Sequence, residues 1–161
     1  DKNEYIKYCE YCSRLVKLRR GWRGFIESSP AVIVVTSGIR LLWENVIKLN
    51  GWNHVRLVGG NHFGLDDFIV DPDIKLEIIK KLHKANKKVI AFGDSRVDAL
   101  MLKCADLGVA IANERKSPGL AECLSGAKNV CQIHMEEEIL PGIPVSSLEK
   151  ILADYLNFNK E

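Results

Sequence analysis

The run AVIVVTSG (31–38) constrains the fold more than any other feature of the chain. Its β-branched residues are stiff in a helix and pack well on a pleated surface. An unbroken apolar run of this length reads as a strand buried on both faces, the pattern of parallel sheets. The period then changes. Ile39, Leu42, Trp43, Val46 and Ile47 recur at helical spacing until Asn50-Gly51 stops them. The alternation continues with a strand at VRLVGG (55–60), a helix with Ile74, Ile78, Ile79 and Leu82 on one face, and a strand at KVIAFGD (88–94). A helix with Val97, Leu100, Met101 and Cys104 follows, then a strand at LGVAIA (107–112), a short helix with Leu120, Cys123 and Leu124, and a strand at NVCQIH (129–134). This order predicts an α/β three-layer sandwich built on a parallel Rossmannoid sheet.

The flanks are helical. Tyr5, Cys9, Cys12 and Val16 predict a polar helix over 1–20, which Gly21-Trp22-Arg23-Gly24 interrupts before a short helix to Ser28-Ser29-Pro30. Near the end, Pro141 and Pro144 mark a linker, and Ser146-x-x-Glu149 reads as a capping box opening a helix from Leu148 to Leu156. With 161 residues, 47% apolar and 27% charged, the chain is long and apolar enough for a folded core. No apolar run nears the roughly 20 residues of a membrane span. Twenty-three basic against 21 acidic residues give +2, so charge excludes an obvious nucleic-acid binder. Neither nucleic acid nor membrane is therefore an expected partner. Five cysteines, an odd set without scaffold spacing, point to a reducing, cytoplasmic setting. The first residue is Asp1, which reads as a processed or excised chain.

In an open parallel sheet, ligands bind at the carboxyl ends of the strands. The first strand ends there in Thr36-Ser37-Gly38, before a helix N-terminus. Hydroxyls and free amides at that point suit a phosphate, and they equally suit a plain N-cap. The third strand ends in Gly93-Asp94-Ser95, with Asp98 four residues past Asp94. Carboxylates there suit Mg²⁺, which takes one or two of them plus water and phosphate oxygens. Asp94 or Ser95 as a helix cap is the alternative. Lys75, at a helix start, is placed to offset a phosphate or orient Asp98, or is simply a solvated lysine.

The order of these segments resembles the haloacid dehalogenase-like superfamily of phosphohydrolases. VVTSGIR (34–40) resembles its second motif, with Thr36 as the phosphate-binding hydroxyl. Lys75 in DPDIKLEIIKKL resembles its third, and FGDSRVD (92–98) its fourth, with Asp94 as Mg²⁺ ligand and Asp98 as supporting acid. Spacing is nearest to the phosphoserine phosphatase-like branch, whose helical cap follows the first motif. The resemblance implies that 1–20 is the end of such a cap, 21–145 the core and 146–161 a C-terminal helix. It implies catalytic roles for Thr36, Lys75 and Asp98, phosphate contacts from Thr36, Ser37, Gly38 and Lys75, and metal binding by Asp94. A Mg²⁺-dependent phosphatase with a small phosphorylated substrate is the expected activity, with other domains of a longer chain as further partners.

One departure is severe. The superfamily's first motif is a central strand ending in DxDx(T/V), whose first Asp is the nucleophile, and nothing before residue 31 supplies it. Asp71-x-Asp73 mimics it, but Pro72 separates the acids, Lys75 replaces the Thr or Val, and the order is wrong. Asp73 is better read as a cap or first-turn acid. Without that strand, the strands at 31–36 and 88–93 are expected to lie about 10 Å apart, unpaired with each other. This chain by itself is expected to be inactive and prone to association through AVIVV (31–35). The rival expectation is a non-catalytic module of the same fold that binds phosphate or scaffolds a partner. Cys9-Glu10-Tyr11-Cys12 lacks a second ligand pair, and His54, His62, His83 and His134 are scattered, so a packed helix face explains the cysteines better than zinc.

Overall fold

The computed structural model describes residues 1–60, 69–111, 119–133, 140 and 142–158, with side chains to residue 155. Asp66, Asp67, His62, His134 and Pro141 lie outside the described residues. The chain divides into two compact units, Asp1–Val70 and Asp71–Glu161.

The first unit holds α1 (Lys2–Leu15), α2 (Trp22–Ser28), β1 (Val32–Thr36), α3 (Arg40–Leu49) and β2 (Val55–Gly59). Asp1 opens α1 through a capping box with Glu4. The helix is shorter than the expected 1–20, because Val16 is already extended at φ −66° and ψ 115°. Beyond it Lys17 and Arg20 would repel each other one turn apart on a continued helix, and Gly21 turns the chain at φ 84°, where a Cβ would be strained. α1 packs on α3, and α3 on β2. β1 and β2 run parallel, with Val34 opposite Leu57 and Thr36 opposite Gly59. β1 was expected to be fully buried, yet Ile33 is exposed and the rest of the strand only half-buried. Within the described residues β1 pairs with one strand, so one edge lacks the neighbour that would complete its burial.

The second unit holds α4 (Pro72–Lys84), β3 (Ile90–Gly93), a 3₁₀ turn at Arg96–Asp98, α5 (Ala99–Cys104), β4 (Leu107–Ile111), α6 (Leu120–Leu124), β5 (Val130–Ile133), β6 (Val145–Ser146) and α7 (Leu148–Phe158). Its strands form one parallel sheet in the order β3-β4-β5-β6. β4 has a partner on each side and buries its three central residues. The core gathers Ile79, Ala91, Met101, Leu102, Leu120 and Val130. The fold is thus mixed α/β with every strand pairing parallel. β1 and β3 belong to separate sheets.

The structure adds detail at three places. Val97 and Leu100 are exposed, while Ala99, Met101 and Leu102 face the core, because the 3₁₀ turn shifts the helical phase. β6 was not foreseen; it is two residues long and carries no periodic signal. Ser146 lies in β6, and the hydroxyl that accepts a first-turn amide of α7 is that of Ser147, from Lys150 N at 3.1 Å. No helix among the described residues is long and apolar enough to cross a membrane.

Candidate functional site

Thr36, Ser37 and Gly38 lie in the first unit, and Lys75, Asp94 and Asp98 in the second. At the end of β1, Thr36 Oγ1 accepts the Gly38 amide at 2.9 Å, folding the chain into a tight hydroxyl turn. Ser37 Oγ donates to the Val70 carbonyl at 2.7 Å. Neither hydroxyl caps α3, whose N-cap is Ile39 without a side-chain hydrogen bond. The plain capping explanation for Thr36-Ser37 is therefore set aside. The leading amides of α3 have no side-chain cap, a composition suited to an anion.

In the second unit Asp71 caps α4, its Oδ1 accepting the Ile74 amide at 2.8 Å, with Pro72 in the first helical turn. Asp73 is a first-turn acid. Both acids of the Asp71-x-Asp73 segment thus have ordinary helix-start roles.

Lys75 follows one position past the first turn of α4. An ammonium there opposes the helix dipole, and the residue is only 6% exposed. Its counter-charge comes from beyond β3: Lys75 Nζ donates to Asp98 Oδ1 at 2.7 Å, and Asp98 is also 6% exposed. A charge this deep is tolerable only when paired and hydrogen-bonded. The other carboxylate oxygen, Asp98 Oδ2, accepts Ser95 Oγ at 2.8 Å, Ser95 N at 3.1 Å and Asp94 N at 3.2 Å. Asp98 therefore ties α4 to the turn that ends β3, and fixes the backbone from which the half-buried Asp94 side chain projects. Lys75 as a solvated lysine is excluded.

The structure brings Lys75, Asp98 and the Asp94 backbone together. Ser95 was weighed from sequence only as a cap; its place on Asp98 is signalled by the Ser-x-x-Asp spacing, which also reads as a capping box. The carboxylates at the end of β3 are oxygen donors of the kind Mg²⁺ takes. Both Asp98 oxygens are engaged, and Asp94 at the strand end carries the other carboxylate of this segment. One carboxylate with water and phosphate oxygens is an accepted Mg²⁺ set. Among the described residues no three His, Cys, Asp or Glu side chains gather as a metal site. Cys9 is buried and Cys12 half-buried on α1, and all five cysteines are unpaired.

Residues 75–129 match the family model of haloacid dehalogenase-like hydrolases. The matched stretch contains Lys75, Asp94, Ser95 and Asp98 and begins after Thr36. No curated protein matches the chain. Over that stretch the chain is similar to haloacid dehalogenase-like hydrolases.

Proposed function

We propose that the complete protein is a Mg²⁺-dependent phosphatase of phosphoserine phosphatase-like type, cleaving a small phosphomonoester through an aspartyl-phosphate. The observation that carries this reading is the buried Lys75–Asp98 pair beside Asp94, inside the segment that matches the hydrolase family. An isolated buried pair adds little to stability against apolar residues. A cation held in place, with one of three protons taken by Asp98, is useful where a phosphoryl group must be neutralised.

In this reading Thr36 holds the transferring phosphoryl group by its hydroxyl, with Ser37 and the Gly38 amide beside it. Lys75 offsets the charge, and Asp98 aims Lys75. Asp94 holds Mg²⁺, which when bound supplies further charge neutralisation on phosphate oxygens. The nucleophilic aspartate is not among these residues; Asp71, the nearest mimic, serves as a helix cap. We therefore place the nucleophile outside residues 1–161 and regard this chain as a fragment that is inactive by itself. Five unpaired cysteines favour a cytoplasmic setting.

The test is hydrolysis of an aryl phosphate by the complete protein with Mg²⁺. Asp94→Asn should lower kcat by at least about 100-fold, the scale of removing one transition-state stabiliser. Saturable phosphate binding with no turnover in the wild-type protein would establish the non-catalytic module instead. Full activity in the Asp94→Asn variant would end the phosphatase assignment of that residue.

A further inference from the structure

Asp98 gives its two oxygens different work. Oδ1 meets Lys75 at 2.7 Å, and Oδ2 collects Ser95 Oγ at 2.8 Å with the amides of Ser95 and Asp94. Those two amides are backbone. The Ser95 hydroxyl is the one side-chain donor among the three. A carboxylate rotates about its Cβ–Cγ bond with little intrinsic preference, since that torsion is broad and two-fold. Its orientation is therefore set by the donors around it.

We propose that Ser95 is a positioning residue: its hydroxyl fixes the rotation of the Asp98 carboxylate, so that Oδ1 rather than a shared edge faces Lys75. The ammonium has three protons and Asp98 takes one. Among the described residues no other acceptor engages Lys75, so the aim of its remaining protons is inherited from Asp98. Ser95 thereby acts on the Lys75 ammonium, on another helix, without touching it. The Ser-x-x-Asp spacing alone would be met by a capping box. A cap explains neither the depth of Asp98 nor the lysine on its second oxygen. The consequence for turnover rests on the phosphatase reading above; the geometric role does not.

The test reads Lys75 directly. The complete protein labelled with ¹⁵N-lysine gives an ammonium signal for Lys75, assigned by its loss in Lys75→Arg. In Ser95→Ala, exchange of those ammonium protons with water should speed up about tenfold, as expected when a hydrogen bond to a charged group is lost. Ser95→Thr, which keeps the hydroxyl, should restore the wild-type rate. A role confined to capping would lower the thermal midpoint in Ser95→Ala and leave the Lys75 exchange rate unchanged, which overturns the proposal. Faster exchange in Ser95→Thr equal to that in Ser95→Ala overturns it as well. An absence of phosphatase activity in the complete protein alongside the expected exchange rates would refute the phosphatase reading and leave the Ser95 role standing.

Discussion

Gly93 lies directly against Asp98: a Cβ at position 93 would run into Asp98 Cβ and stand 2.8 Å from Asp98 Cγ. The obstacle is the root of a side chain whose two oxygens are both engaged, so it has no free direction in which to move. Gly93→Ala should therefore destabilise the protein by about 1–3 kcal/mol, the usual cost of overpacking. Urea unfolding measures this, and a variant as stable as wild type would show that Asp98 is less firmly held than its contacts indicate.

Much of this region was legible in the sequence, for physical reasons that differ by residue. The strands of AVIVVTSG and KVIAFGD follow from β-branched apolar runs, and the helix holding Ile78, Ile79 and Leu82 from its period. Lys75 and Asp98 were marked by the order of motifs, and the structure pairs the two side chains. What stayed hidden depends on partners in space. The half-burial of β1 goes with a sheet edge that has no partner strand among the described residues, which no local pattern encodes. The exposure of Val97 and Leu100 reflects one tightened turn that shifts the helical phase. Asp71, Asp73, Ser146 and Ser147 all have cap-forming side chains, so spacing alone does not choose among them.

The Lys75–Asp98 pair should respond asymmetrically to truncation. Asp98→Ala leaves a buried ammonium without its counter-charge and strands the donors of Ser95 and Asp94, so a loss of about 3–5 kcal/mol is expected. Lys75→Met removes the cation but leaves the carboxylate with three donors around Oδ2, and should cost less. Denaturant melts of the two variants decide the order. An equal or larger loss in Lys75→Met would mean that the turn does not support the anion.

At the other end of the same sheet Asp106 gathers three donors. It accepts His83 Nε2 at 3.0 Å, Lys88 Nζ at 3.1 Å and the Val89 amide at 2.8 Å. Partial burial pushes its carboxyl up, but the Val89 amide, Lys88 and His83 outweigh this and hold it below the usual carboxylate range. A depressed folded value means that Asp106 stabilises the fold above the unfolded aspartate value near about 3.9. That contribution is lost as the pH falls through the lower folded value. Thermal midpoints of wild type and Asp106→Asn should differ at neutral pH and converge in acid below that range. A gap that persists unchanged into strong acid would assign the effect to packing and not to charge.

Gln132 supplies the last expectation. Its side chain is fully buried at the centre of β5. Gln132 Nε2 donates to the carbonyls of Leu140 at 2.8 Å and Ile143 at 2.6 Å, while Oε1 accepts the Leu140 amide at 2.7 Å. One neutral amide thus satisfies three backbone groups of the segment that returns to the sheet as β6, where Gln132 also pairs with Val145. Gln132→Leu keeps the volume and the apolar area but strands all three groups. Each buried orphan costs about 1–3 kcal/mol, so the variant should lose at least about 2 kcal/mol even if the segment partly relaxes towards water. Relaxation has its own signature: amide exchange at Leu140 and at Gln132, whose amide donates to the Pro144 carbonyl at 2.7 Å, should accelerate. Gln132→Glu offers the control, because it retains acceptors for the Leu140 amide but has lost the two donors to Leu140 and Ile143 at neutral pH. It should be at least as destabilised as Gln132→Leu. Stability near wild type in both variants would show that the 140–146 segment is held by Ile143 and its apolar neighbours, and that the buried amide is dispensable.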